Sequence, residues 1–318
     1  MPRLIGDVVD RYLEQAAPPA KAESTCKTEK IQLAHFTAYL AEVQLGRAPA
    51  LEITRPIVKD YRTWRLGTVG AVTVNKEVAT LHGLFGFALD AGIVPANPVA
   101  GLERLKVDEA PEFRTLDEIE RLLREGVFTP DEEKRLRQAR VLEPHEIDEL
   151  IDLAKGKAAY VPVCVAAFTG ARRGEIVRLT WADVEPDAIV LRSRKQSRKE
   201  TWKRRRVAIH PRLLTVLQEH RLKTGGEGYL FLGKKDGTHL SEQTLHNNLK
   251  RVTRGTDLSE IGWHTLRHSL ASNLARAGVD QREINEMLGH TSEAMARRYR
   301  HLFPDQRRQA IERVYARG

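Results

Sequence analysis

His264-Thr265-Leu266-Arg267-His268, then Leu288-Gly289-His290, then Arg297-Arg298-Tyr299, follow one another in the last quarter of the chain. Histidines, an arginine and a tyrosine stand in a set order among further basic residues. A phenol is a poor nucleophile near neutral pH, because it keeps its proton up to about pH 10. Placed beside several cations and a proton acceptor, it can attack a phosphodiester. The set makes DNA cutting the chemistry to test against the rest of the chain.

Charge agrees with that reading. Lys and Arg number 52 against 43 Asp and Glu, a formal net charge of +9 over 318 residues. Such an excess favours a polyanion, most simply nucleic acid, although composition alone is equally met by a merely basic protein. The length suggests two domains. Cys26 and Cys164 lie far apart in no paired motif, which argues against a disulfide framework or zinc knuckle and fits the reducing cytoplasm. The first residues lack an apolar signal core and read as a helix start. No apolar run is long enough to span a bilayer.

Working back from the C-terminal motifs, three regions separate. Residues 1–105 read as helical, with Ile31, Ala34, Ala38 and Ala41 marking one face and Phe36, Leu40 and Val43 nearby. A second stripe comprises Val78, Leu81, Leu84, Phe85 and Ala88. A Gly/Pro break at 92–98 ends the region. Within it, Arg62, Arg65 and Lys76 are candidate phosphate contacts. Residues 106–157 form an acidic linker with extra helices. Over 108–152 there are 15 Asp/Glu and 7 Lys/Arg, a poor composition for lying on DNA. Two short amphipathic helices are expected there, near Leu116 and Glu146, joined by a charged connector from Asp131 to Arg140. Residues 158–318 form the third region. Ala188–Leu191 and Arg206–His210 read as strands. The span from Arg192 to Arg206 holds nine Lys/Arg and one acid, Glu200; such a run cannot enter a core unpaired. A hairpin aimed at DNA is expected, with Arg194, Lys199, Lys203, Arg204 and Arg205 as backbone contacts. The fold class is mainly α with a small β-sheet.

Taken in order, these motifs resemble the tyrosine recombinases of the phage integrase family. Thr169-Gly170-Ala171-Arg172-Arg173-Gly174-Glu175 resembles the family's first box, His264 and Arg267 its His-x-x-Arg, and Leu288-Gly289-His290 its Leu-Gly-His element. Tyr299 falls nine residues after His290, where the family places its nucleophile. The resemblance implies a two-domain DNA clamp, with a helical core-binding domain and a catalytic domain. It also implies catalytic roles for Arg172, Lys195, His264, Arg267, His290 and Tyr299, with Glu175 steadying the site. Tyr299 would form a 3′-phosphotyrosyl bond and free a 5′-hydroxyl, needing neither metal, ATP nor another cofactor. The implied partners are double-stranded DNA, further copies of the chain in a tetramer on that DNA, and accessory DNA-bending proteins, with no membrane.

Physical chemistry supports the same residues. Arginine forks suit the non-bridging phosphate oxygens, and cations aimed there act where charge develops. His264 and His290 suit proton transfer or phosphate binding. Lys195 suits protonation of the leaving 5′-oxygen, with Lys199 and Lys203 in the same hairpin as alternatives. His264 and His268 have the spacing of a helical metal pair, but Thr265 stands where such a pair has glutamate; His268 reads as structural. Two other readings stay open on sequence: a type IB topoisomerase-like enzyme, and a DNA-binding protein of this fold that does not cut.

Overall fold

The computed structural model describes residues 3–194, 202–235, 237–289 and 293–302. The chain divides into two compact units, Met1–Glu109 and Ala110–Gly318.

The first unit is built from α1 (Ile5–Gln15), α2 (Glu23–Glu42), α3 (Arg55–Leu66) and α4 (Ala71–Asp90). The stripe expected on α4 faces inward, with Leu81, Leu84, Phe85 and Ala88 in the core. On α2 the expected face is corrected. Ile31 is 60% exposed, whereas Leu33, Phe36, Tyr39 and Leu40 are buried. A Leu/aromatic stripe removes more apolar area from water than an alanine stripe, at roughly 25 cal/mol per Å², so it wins the interior. Phe36 meets Tyr61 edge-on, with ring centroids 5.2 Å apart. Helix α4 stops at Gly92, whose φ of 65° suits glycine, and the Ile93 N–H closes on the Ala88 carbonyl at 2.8 Å in the manner of a left-handed cap.

In the second unit, residues 110–157 carry three helices, α5 (Leu116–Glu125), α6 (Pro130–Gln138) and α7 (Pro144–Ala154). The stretch read as a connector is therefore itself helical. Its start has the capping box: Glu132 N–H bonds Thr129 Oγ1 at 3.3 Å, and Thr129 N–H bonds the Glu132 carboxylate at 2.8 Å. Pro130 occupies the position where a missing N–H costs nothing. Leu142, Leu150, Ile151 and Ala154 then join the core of this unit.

The remaining elements are α8 (Tyr160–Thr169), α9 (Arg173–Val177), β1 (Ala188–Arg194), β2 (Trp202–Ala208), α10 (Pro211–Thr224), α11 (Glu242–Thr253), α12 (Trp263–Arg276), α13 (Gln281–Leu288) and α14 (Glu293–Arg297). A 3-10 turn follows over Arg300–Leu302. The strands pair antiparallel, with Leu191 opposite Arg205 and Arg194 opposite Trp202. Side chains alternate across a strand. Val207 is buried, Arg205 turns toward the protein, and Arg204 and Arg206 are exposed. The apolar α8 packs against α12, α10 and α7 and ends at Gly170 with φ 60°. A Cβ at Gly170 would lie 2.3 Å from Leu288 Cδ2. That close approach brings the α8 terminus to the α13 terminus and positions the site. Among the described residues, no helix is long and apolar enough to cross a membrane.

Candidate active site

Arg172 precedes the first turn of α9, and its backbone N–H donates to Glu175 Oε2 at 2.8 Å. The same carboxylate takes Arg172 Nη1 at 3.0 Å on Oε1. Arg205 forks onto it from β2, with Nη1 to Oε1 at 2.7 Å and Nη2 to Oε2 at 2.8 Å. Burial pushes the Glu175 carboxyl upward, but the hydrogen bonds and charge of Arg205, with Arg172 behind them, outweigh it and hold the group below its ordinary value. Glu175 is thus an anion at neutral pH, though only 3% exposed.

Arg267 projects from α12 and is buried. Its Nη1 donates to the Gly170 carbonyl at 2.7 Å and its Nη2 to the Leu288 carbonyl. Arg172 Nη2 reaches the Gly289 carbonyl at 3.1 Å, and Arg205 Nε reaches the Met287 carbonyl at 3.0 Å. Three guanidinium groups therefore take three successive carbonyls at the C-terminal end of α13, where the helix offers unpaired acceptors and negative dipole. Burial first, then Arg172 and Arg205, pulls Arg267 down to about 9, still cationic at neutral pH. Arg172 keeps 36% of its side chain exposed although Nη1 and Nη2 are both engaged.

Tyr299 is 0% exposed. Its hydroxyl lies 2.7 Å from His268 Nδ1. Phe113 stacks on both rings, with centroids 4.3 Å from His268 and 4.9 Å from Tyr299. The Arg298 guanidinium covers Phe113 at 3.6 Å. Arg298 Nε donates to the Pro111 carbonyl at 2.8 Å, and the Phe113 N–H donates to the Arg298 carbonyl at 3.3 Å. Burial raises the Tyr299 phenol well above its ordinary value; Arg267 and then Arg298 pull against that without reversing it. Here the phenol is neutral and shut away from any substrate.

His264 lies exposed on the first turn of α12. Partial desolvation, then the charges of Arg267, Arg172 and Arg173, hold it below its ordinary value, so it is a neutral proton acceptor at pH 7. Its ring centroid is 6.4 Å from that of His268. His268 reads as structural in the sequence, yet its ring meets the nucleophile candidate. Its spacing from Arg267 and Tyr299 holds no sign of that meeting. Phe113 is equally hidden, because it comes from a region that reads as linker.

Among the expected DNA contacts, Lys203 and Arg204 are exposed on β2, Lys76 is exposed on α4 and Arg62 is half-buried on α3. Two others are placed differently. Arg205 turns inward onto Glu175 and Met287, as described. Arg65 is buried on Glu77, with Nε at 3.1 Å and Nη2 at 3.0 Å from Oε1; Tyr61 donates to the same carboxylate at 2.7 Å. A buried acid needs such partners, and both guanidiniums are committed to one. Lys195, Lys199 and His290 lie outside the described residues, as do the side chain of Arg194 and residues 303–318. Among the described residues, no cluster of His, Cys, Asp or Glu could hold a metal ion.

A family model described as the phage integrase family matches residues 140–306, the span that contains the candidate catalytic residues. The chain belongs to the phage integrase family. Similar proteins extend the likeness beyond that span. A XerC-like tyrosine recombinase of Caldanaerobacter subterraneus subsp. tengcongensis is 26% identical, covering 97% of this chain and 82% of that protein. Tyrosine recombinase XerC of a Roseiflexus species is 28% identical over 72% of this chain and 68% of that protein. Among solved structures, a lambda integrase dimer bound to a COC′ core site has TM-score 0.66 at 18% identity, covering 94% of this chain and 95% of that one. The XerH site-specific recombinase bound to a palindromic difH substrate has TM-score 0.64 at 17% identity, covering 96% and 83%. The mainly helical fold with its two-stranded sheet is the tyrosine recombinase fold. The enzyme is a site-specific recombinase, and the topoisomerase-like and non-cutting readings are not favoured.

Proposed function

We propose that this recombinase breaks and rejoins double-stranded DNA with Tyr299 as nucleophile and Arg172 and Arg267 as the clamp on the scissile phosphate. The observation that carries the proposal is the anchoring of those two guanidiniums, 95 residues apart in sequence, on the adjacent carbonyls of Gly289 and Leu288. A phosphate received there gains charge on its non-bridging oxygens as the phosphorus becomes five-coordinate. Preorganised donors act on that charge; removal of one such donor costs on the order of 10²–10³ in rate.

The phenol oxygen forms the new bond to phosphorus while the bond to the 5′-oxygen breaks. The phenol proton passes to a neutral imidazole, His264 or His290. The departing 5′-oxygen takes a proton from the hairpin lysine expected at position 195. The phosphodiester becomes a 3′-phosphotyrosyl ester, and a 5′-hydroxyl of a partner strand reverses the exchange. One ester replaces another, so ATP is not required. The buried placement of Tyr299 against His268 and Phe113 is a resting arrangement, and residues 298–302 must shift before attack.

Exposed Lys203 and Arg204 on β2, with Lys76 and Arg62 in the first unit, are the proposed backbone contacts. Some of the structural neighbours are a dimer on a core site and a tetramer on a Holliday junction; the same assembly, four copies on DNA, is proposed here, acting in the cytoplasm. The test is a nicked suicide duplex carrying a site selected from random DNA. The wild type should form a covalent adduct and exchange strands, and Tyr299→Phe should bind but form none. An adduct retained by Tyr299→Phe would remove that residue from its role.

A further inference from the structure

The hairpin is basic enough that each of its arginines invites assignment to DNA, yet Arg205 is turned the other way. Its side chain is 9% exposed, beside a Glu175 side chain at 1%. Both terminal nitrogens are spent on Glu175, at 2.7 and 2.8 Å, and Nε on the Met287 carbonyl at 3.0 Å. Its Cδ also runs past Gly289, where an added Cβ would stand 3.5 Å away. Strand register explains the direction. Arg205 shares a face with buried Val207, while Arg204 and Arg206 project outward.

We infer that Arg205 is a positioning residue of the active site, holding Glu175 and the end of α13 so that Arg172 and Arg267 stay aimed at one phosphate. Three guanidinium groups face a single carboxylate, which leaves an excess of positive charge that would push them apart in an empty site. Each is restrained by a different carbonyl of residues 287–289, and Glu175 ties Arg205 to Arg172. The fork matters more than the charge. A lysine at 205 would keep the cation but could not span both carboxylate oxygens and the Met287 carbonyl together. Released from one side, Glu175 would draw more closely on Arg172, and the C-terminal end of α13 would lose one of its three ties. Arg205 also lies on β2, which follows residues 195–201 in the sequence, where the leaving-group lysine is expected. It thereby links the hairpin to the phosphate clamp without touching DNA.

This inference rests on the proposed cleavage chemistry, and the experiment separates the two. The full chain is used, with Arg205→Lys and Arg205→Ala, on the selected suicide duplex and on the same duplex with one non-bridging oxygen of the scissile phosphate replaced by methyl. Single-turnover adduct formation at saturating DNA should fall at least tenfold in Arg205→Lys, and further in Arg205→Ala. Affinity should stay within about twofold and its salt slope should not change, whereas removal of a cation that neutralises a phosphate would lower that slope by about 0.9. The acid limb of the rate–pH profile should move to higher pH, because Glu175 has lost a forked partner. On the methyl-substituted duplex, which carries less charge for the arginines to meet, the gap between wild type and Arg205→Lys should narrow. If Arg205→Ala does not fold, Arg205→Lys carries the test. A wild-type rate and pH profile in folded Arg205→Lys would overturn the inference, as would a reduced salt slope with an unchanged rate at saturation. An equal loss on both duplexes with an unmoved pH profile would overturn it too, since it would mark a purely structural role. A wild-type chain that forms no adduct would instead overturn the cleavage proposal.

Discussion

Phe113→Ala should loosen the hold on Tyr299. The ring is 1% exposed and touches three groups: His268, Tyr299 and the Arg298 guanidinium. Truncating a buried phenylalanine to alanine costs roughly 3–5 kcal/mol. That range already contains the aromatic pairs, about 0.5–1.5 kcal/mol each, and the cation–π interaction, about 0.5–1 kcal/mol. Most of these interactions join Phe113 to residues 298–299. About 2–3 kcal/mol of the loss should therefore appear as easier local opening of the tyrosine segment, a factor of roughly 30–150 in the open population at 1.4 kcal/mol per decade. Hydrogen exchange reports it directly. The Arg298, Tyr299 and Leu302 amides bond the Met295, Ala296 and Tyr299 carbonyls, and their protection should drop by that factor. Adduct formation at low DNA occupancy should rise, because the phenol is uncovered more often. If protection at 298–302 stays at the wild-type level while global stability falls, Phe113 is core filling alone, and the resting arrangement is held by something else.

Further expectations concern the site and the hairpin. Gly170→Ala places a Cβ 2.3 Å from Leu288 Cδ2 on a residue with φ 60°. Left-handed strain of about 1–2 kcal/mol and overpacking of about 1–3 kcal/mol should lower the urea midpoint and slow cleavage, since Arg267 anchors on both Gly170 and Leu288; an unchanged midpoint would refute the close approach. Glu175 is held below its ordinary value, so its contribution to stability is present above the unfolded value near about 4.3 and is lost as pH falls through the lower folded value. Glu175→Gln should therefore flatten the acid side of the stability–pH curve, as urea melts from pH 7 to 3 would show. His264 is held low and stays neutral as pH falls past its ordinary value. If it accepts the phenol proton, the acid limb it sets should lie below about pH 6.5 and vanish in His264→Ala. Lys203→Ala with Arg204→Ala should weaken binding to all sequences and cut the salt slope by about 0.9 for each phosphate left without its cation, measured by titration between about 50 and 200 mM salt.

Local chemistry alone determined a good deal of this protein. Helix α4 was legible because its apolar period is strong, as were β1 at Ala188–Leu191 and the last residues of β2, Arg206–Ala208; β2 begins earlier, at Trp202, inside the basic run that hid it. The order of His264, Arg267, His290 and Tyr299 pointed to phosphodiester chemistry without coordinates, and the resemblance to the phage integrase family added Arg172 and Glu175. A helical connector at 130–138 was legible in principle, since Thr129-Pro130-Asp131-Glu132 is a capping signature, but its high charge masked it. On α2 the alanine stripe and the Leu/aromatic stripe both had helical spacing. Only packing against α4 and α3 chose between them, on buried area.

Direction and long-range partnership belonged to the tertiary structure. Nothing within Lys203-Arg204-Arg205-Arg206 says which guanidinium faces DNA and which faces Glu175. That follows from the pairing of β2 with β1 and from where α13 ends. Arg65 likewise reads as a surface cation until Glu77 arrives from the next helix. The meeting of Phe113, His268 and Tyr299 joins residues separated by up to 186 positions, which no periodic pattern encodes. Side-chain period sets which residues can be buried together, but a charged or aromatic group takes its role from whichever oppositely charged, hydrogen-bonding or apolar surface the fold brings against it.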